Sequence, residues 1–130
     1  MNKNTIKKMI EECHSAKEKS YSPYTKVRVG AALVCHDDTI IPGCCVENSV
    51  FTLTCCAERT AIVSAVSQGY RKFKAIAVTY DVLEKRLTPC GACRQVLAEF
   101  GTDYDVYLVK PDSTYVKVTV NDLLPSRFQQ

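Results

Sequence analysis

Residues Ala75 to Tyr80 read Ala-Ile-Ala-Val-Thr-Tyr, a nearly unbroken apolar run of strand length. A strand with one solvated face alternates polar and apolar residues, whereas a run of this kind belongs to a strand covered on both faces. That requirement confines the chain to a sheet with helices on each side. The helices can be read from their stripes. Ile6, Met9, Ile10, Cys13 and Ala16 recur at three- and four-residue spacing and predict a first helix ending near Ser20. Ala61, Ile62, Ala65 and Val66 mark a second that starts at Ala57 and stops at Gly69. Val96, Leu97 and Phe100 mark a third, opened by Pro89-Cys90-Gly91 and stopped by Gly101.

Alternation at Val27, Val29, Ala31, Leu33 and Cys35 predicts a strand, and Asp37-Asp38 a hairpin turn. Thr39 to Val46, interrupted by Pro42-Gly43, reads as its paired strand with a bulge or kink. Tyr104 to Lys110 and Tyr115 to Val120 are two further strands around a turn at Pro111-Asp112-Ser113. The order helix, two strands, helix, strand, helix, two strands predicts an α/β fold. Its layers form an α/β/α sandwich around a mixed sheet of about five strands, in an order that spacing does not fix.

At 130 residues the chain has room for one core, so residues 1–130 are expected to form a single domain. The formal charge of +3 comes from scattered basic residues and contains no run of the kind that binds a nucleic-acid backbone. The first ten residues lack the apolar block of a secretory signal, and no stretch approaches the roughly 20 apolar residues of a membrane span. A cytoplasmic location with neither nucleic acid nor membrane as partner is the expectation. Eight cysteines suit a disulfide scaffold only in a short exported chain. Thiols or a metal are the reading here.

Two segments carry the chemistry: Thr54-Cys55-Cys56-Ala57-Glu58-Arg59-Thr60 and Thr88-Pro89-Cys90-Gly91-Ala92-Cys93-Arg94-Gln95. Each places cysteine at the start of a helix, where the free amides and partial positive charge lower a thiol pKa and favour the thiolate that zinc prefers. Cys90 and Cys93 have the spacing of a metal knuckle, and Cys56 can supply a third sulfur. Three protein ligands leave one position open for water, which separates a catalytic zinc from a closed structural one. Glu58 lies beside the metal outside its shell, placed to accept a proton from bound water. Three thiolates overload the site with negative charge. Arg59, hydrogen-bonding a cysteine sulfur, and the two helix N-termini are expected to compensate. A structural zinc with Cys55 or Cys44 as fourth ligand is the competing reading, and a redox pair would share the Cys90–Cys93 spacing.

A Cys-Ala-Glu helix start followed about thirty residues later by Pro-Cys-x-x-Cys is the zinc deaminase signature. Here the sequence resembles the small homotetrameric zinc-dependent cytidine deaminases. The likeness runs through Tyr21-Ser22-Pro23-Tyr24, Val29-Gly30-Ala31-Ala32-Leu33, Glu47-Asn48, Cys56 to Ala61, Pro89 to Val96 and Leu123-Leu124-Pro125. It implies the cytidine deaminase-like fold, Zn2+ on Cys56, Cys90 and Cys93, and hydrolysis of cytidine and deoxycytidine to uridine, deoxyuridine and ammonia in pyrimidine salvage. Glu58 would move protons from the zinc water to N3 and to the departing ammonia while hydroxide attacks C4. The resemblance also implies a homotetramer whose subunits complete each other's sites, with a small-molecule nucleoside as substrate. Glu47 would bind ribose hydroxyls, Ser49 and Ala57 would lie against the substrate, and Phe51 and Phe128 would reach a neighbour's pocket.

Two positions depart from the family pattern. Cys45 stands where an asparagine usually contacts the ribose, and Val27 where a phenylalanine usually lines the base pocket. A thiol is a weak hydrogen-bonding group, and the lost amide contact is worth on the order of 1 kcal/mol or more. These changes leave open a different cytosine compound as substrate, a modified cytidine or a nucleoside antibiotic. A noncatalytic zinc-stabilised subunit is the reading from another class. Cys44, Cys45 and Cys55 otherwise read as packed thiols, and His14 and His36 as surface or turn residues.

Overall fold

The structure is a computed structural model that describes residues 1–81 and 88–130. Helix α1 (Lys3–Lys17) leads to strands β1 (Val29–Cys35) and β2 (Ile40–Cys44), then to α2 (Ala57–Ser67), β3 (Phe73–Tyr80), α3 (Gly91–Glu99), β4 (Asp105–Val109), β5 (Tyr115–Thr119) and a short α4 (Val120–Leu123). The strands form one sheet in the order β2-β1-β3-β4-β5. Among the described strands β3 and β4 run parallel and the other neighbours antiparallel, so the sheet is mixed as the sequence predicts. The parallel pair is the one joined through a helix, since parallel strands need a crossover connection.

Strand alternation divides the core in two. Ala32, Val34, Ala75, Ala77, Tyr107 and Val109 pack against Met9 and Cys13 of α1. Ala31, Leu33, Ile76, Val78, Val106 and Leu108 point to the other face, against Ala61, Ile62 and Ala65 of α2 and Leu97 and Ala98 of α3. Both faces of β3 are therefore covered, which is why Ala75 to Val78 are fully buried and the run carries no polar alternation. Two glycines set how closely the helices lie. A Cβ on Gly30 would come within 2.2 Å of the Cys13 carbonyl of α1, and one on Gly43 within 2.5 Å of the Ala57 carbonyl of α2.

Three details of the sequence reading are corrected. β1 begins at Val29, because the segment before it is held by loop contacts, among them the Val27 N–H to Thr25 Oγ1 at 3.1 Å. Pro42-Gly43 makes no bulge: β2 pairs with β1 in continuous register from Gly30↔Cys44 to Val34↔Ile40. Proline is accommodated because β2 is an edge strand with one side free of ladder bonds. Val120 opens α4 instead of closing β5, since Thr119 forms a capping box with Asp122, its hydroxyl accepting from the Asp122 N–H at 3.1 Å.

Candidate metal and active site

Both cysteine-bearing helices start at the same end of the sheet. Cys56 is the N-cap of α2 and Cys90 the N-cap of α3, with Cys93 in the first turn behind it. The Cys90 sulfur accepts the Cys93 N–H at 3.4 Å, so the cap bond itself fixes the second helix start and aims two sulfurs together. The Cys90 and Cys93 sulfurs lie 3.2 Å apart, and all three ligand atoms fall within 4.8 Å of one another. Among the described residues, neither Cys44 nor Cys55 joins this group. The Cys56 thiol is held down to about 5, first by its hydrogen bond with Cys93 and then by the Arg59 guanidinium. Three free thiols converging at two helix N-termini, one of them readily ionised, form a donor set that fits zinc with an open position.

Glu58 sits in the first turn of α2 and is almost wholly buried. Burial pushes its carboxyl up to about 7, with the nearby Cys56 adding to the rise. A carboxyl poised near neutrality can both accept and donate a proton. Arg59, on the same turn, donates to Cys56 Sγ at 3.3 Å and to the Thr54 carbonyl at 3.2 Å. That is the contact anticipated for it in the sequence.

A cavity of about 180 Å³ opens onto this group. Cys56, Glu58 and Cys90 form its reactive side, and Ala57, Val29, Cys45, Tyr80 and Thr88 its remaining wall. Cys45 reaches the wall because its N–H continues the β1 pairing, donating to the Val29 carbonyl at 3.1 Å, while the next residue, Val46, is bridged to Cys55. Burial pushes the Cys45 thiol up to about 11, so it is a neutral wall group.

The other residues named from the sequence lie outside this wall. Val27 is half-buried in the preceding loop, and Val29 takes the place at the cavity. Glu47 is buried, and its carboxylate accepts the Tyr24 N–H at 2.9 Å, the Thr25 N–H at 3.2 Å and the Thr25 hydroxyl. The Thr25 hydroxyl foremost, then the two amides, hold that carboxyl below its usual range. Ser49 is exposed and its hydroxyl pairs with that of Tyr24 at 2.6 Å. Phe51 and Phe128 are 76% and 74% exposed. Val29, Tyr80 and Thr88 line the cavity although the sequence reading did not assign them to the site. Tyr80 had a usable signal: it follows Ile76 and Val78 on one face and ends the central strand, and α/β sheets gather ligands beyond strand carboxyl ends.

Comparison with known proteins is consistent with this geometry. The family described as "Cytidine and deoxycytidylate deaminase zinc-binding region" matches residues 3–109. A probable cytidine deaminase of Dictyostelium discoideum is 45% identical over all of this chain and 88% of its own length. The cytidine deaminase of Sporosarcina psychrophila is 48% identical over 96% of this chain and 92% of its own. The crystal structure of a cytidine deaminase from Burkholderia pseudomallei superposes with a TM-score of 0.90 at 42% identity, covering 98% of this chain and all of that one.

Proposed function

The chain belongs to the cytidine and deoxycytidylate deaminase family, and on that premise we propose that it is a zinc enzyme converting cytidine and deoxycytidine with water to uridine or deoxyuridine and ammonia. The observation that carries this reading is a buried carboxyl next to three converging thiols at the head of one cavity. Residues 1–130 act as one catalytic domain. Cys56, Cys90 and Cys93 are the ligands, and zinc held by them supplies Lewis acidity that makes a water nucleophilic at neutral pH.

Glu58 takes a proton from the attacking water and delivers it to N3 of the base as the water oxygen bonds to C4. It then takes the remaining proton from the C4 hydroxyl and gives it to the 4-amino group, so that the C4 carbonyl forms as the C4–N bond breaks and ammonia leaves. One carboxyl can serve in both directions because burial holds it near neutrality. Cys45, Ala57 and Glu47 are the near residues for the nucleoside on this subunit.

A homotetramer with shared sites accounts for the remaining residues. Val50, Phe51, Leu53 and Phe128 are 56%, 76%, 64% and 74% exposed, apolar side chains that a monomer gains nothing by leaving in water. Phe51, Ser49 and Phe128 would then serve a neighbouring cavity, with Val27 near the base entrance. Cytoplasmic pyrimidine salvage is the setting this reading assigns. Among the described residues, no helix is long and apolar enough to cross a membrane.

The Cys45 thiol in the cavity wall favours a second substrate reading, a modified cytidine or a cytosine nucleoside antibiotic. A substrate panel followed by ultraviolet absorbance, with metal content measured on the same sample, separates the two. Cytidine turnover that vanishes in Glu58→Ala while zinc is retained supports the proposal. Zinc without turnover of any cytosine nucleoside points to the noncatalytic subunit and overturns it.

A further inference from the structure

We infer that Tyr80 is a substrate-contacting, specificity-determining residue whose hydroxyl donates a hydrogen bond to the C2 carbonyl of the pyrimidine. The inference rests on the cytidine deaminase reading and adds a residue that neither the knuckle motif nor the helix-start motif contains.

Its basis is placement. Ile76 and Val78 of β3 are buried under α2 and α3, and Tyr80 is the next side chain on that face and the last residue of the strand. Both helices begin at this end of the sheet, so the phenol ring enters the cavity that holds Cys56, Glu58 and Cys90. The Thr88 hydroxyl accepts from Arg94 Nη2 at 2.7 Å, and the Cys45 thiol is a weak donor. Glu58 holds the proton that the chemistry needs. The Tyr80 hydroxyl has no hydrogen-bond partner among the described residues.

A phenol ordinarily titrates at about 10, so at neutral pH this hydroxyl is a neutral O–H donor. Such a group does not exchange protons with Glu58. What it can do is recognise an acceptor. Within a cytosine ring, N3 is engaged by Glu58 and C4 by the nucleophile, which leaves the C2 carbonyl as the free acceptor. Uridine keeps that carbonyl, so substrate and product should both feel the contact.

The test compares wild type, Tyr80→Phe and Tyr80→Ala on cytidine and on 2-thiocytidine, whose sulfur is a poor acceptor, together with inhibition by uridine. Tyr80→Phe keeps the ring and removes only the hydroxyl; Tyr80→Ala also removes the ring. Tyr80→Phe is expected to raise KM for cytidine and Ki for uridine about tenfold with kcat little changed, and to leave 2-thiocytidine within about twofold. Values for cytidine and uridine that stay within about twofold in an active Tyr80→Phe enzyme overturn the contact, even if Tyr80→Ala is impaired through the enlarged cavity. Equal losses on cytidine and 2-thiocytidine overturn the assignment to the carbonyl. A wild type that does not turn over cytidine overturns the underlying reading, and this inference with it.

Discussion

Arg59 Nη2 stands 3.3 Å from Cys56 Sγ while also holding the Thr54 carbonyl at 3.2 Å, so one guanidinium nitrogen clamps the ligand and the residue two before it. Three thiolates around a divalent metal leave a net charge of about −1, which opposes acidification of bound water. A cation touching one sulfur withdraws part of that charge. Arg59→Gln should therefore lose zinc to a competing chelator about 10- to 100-fold more readily and lower kcat/KM by a similar factor. Unchanged metal affinity and turnover would show that the two helix N-termini suffice.

Cys45 gives the second prediction. In the cavity wall a neutral thiol offers little to a ribose hydroxyl, whereas an amide both donates and accepts. Cys45→Asn should lower KM for cytidine about fivefold to tenfold, the worth of roughly one neutral hydrogen bond. The specificity constants for cytidine and for a panel of modified cytidines read the result. If Cys45→Asn leaves cytidine unchanged or worse, the thiol is suited to some other cytosine compound.

Gly43 couples the sheet edge to the reactive helix. A Cβ there meets the Ala57 carbonyl and the Ala61 N–H, both at 2.5 Å, in the turn that carries Glu58. These are backbone atoms, so the helix must move as a unit. Gly43→Ala is expected to cost about 1–3 kcal/mol of stability. A shift of even part of an ångström between Glu58 and the ligands should also reduce kcat/KM on the order of tenfold. Thermal melts and kinetics on one preparation check both. Loss of stability alone, with full activity per folded molecule, would mean that α2 retreats without turning.

The sequence disclosed the layers and the ligands for one reason: both are written in local pattern. The run Ala75 to Val78 states its burial directly, and Cys56, Glu58, Cys90 and Cys93 sit at helix starts that Gly69 and Gly101, with φ of 99° and 124°, close at the far ends. What stayed hidden depends on pairing across long separations. Whether β1 begins at Val27 or Val29 is decided by the partners Tyr80 and Cys45, fifty-one and sixteen residues away from Val29 in sequence. Tyr80 belongs to the cavity only because the sheet order places β3 in the middle. Glu47 is seen to brace Tyr24 and Thr25 only once the loop folds back on it.

The last prediction concerns the end of β3, where Asp81 binds Arg28 through Nε at 2.9 Å and the buried Lys17 through Nζ at 3.2 Å. This triangle joins α1 and the residue before Val29 to the one after Tyr80, behind two walls of the cavity. Burial alone would raise the Asp81 carboxyl, but the hydrogen bonds from Arg28 and Lys17 outweigh it and hold the group below its usual range. A carboxyl depressed in the folded state stabilises the fold at pH values above its unfolded pKa, about 3.9, and loses that contribution as the pH falls through the lower folded value. Asp81→Asn also leaves Lys17 buried without its anion. The variant should be about 1–3 kcal/mol less stable than wild type at pH 7, and the gap should narrow as the pH drops from about 4 through the lower folded pKa, below which the folded wild type is protonated too. Denaturant melts of both proteins from pH 7 to 3 measure the gap directly, and a constant difference across that range would show that the carboxylate charge contributes nothing to the triangle.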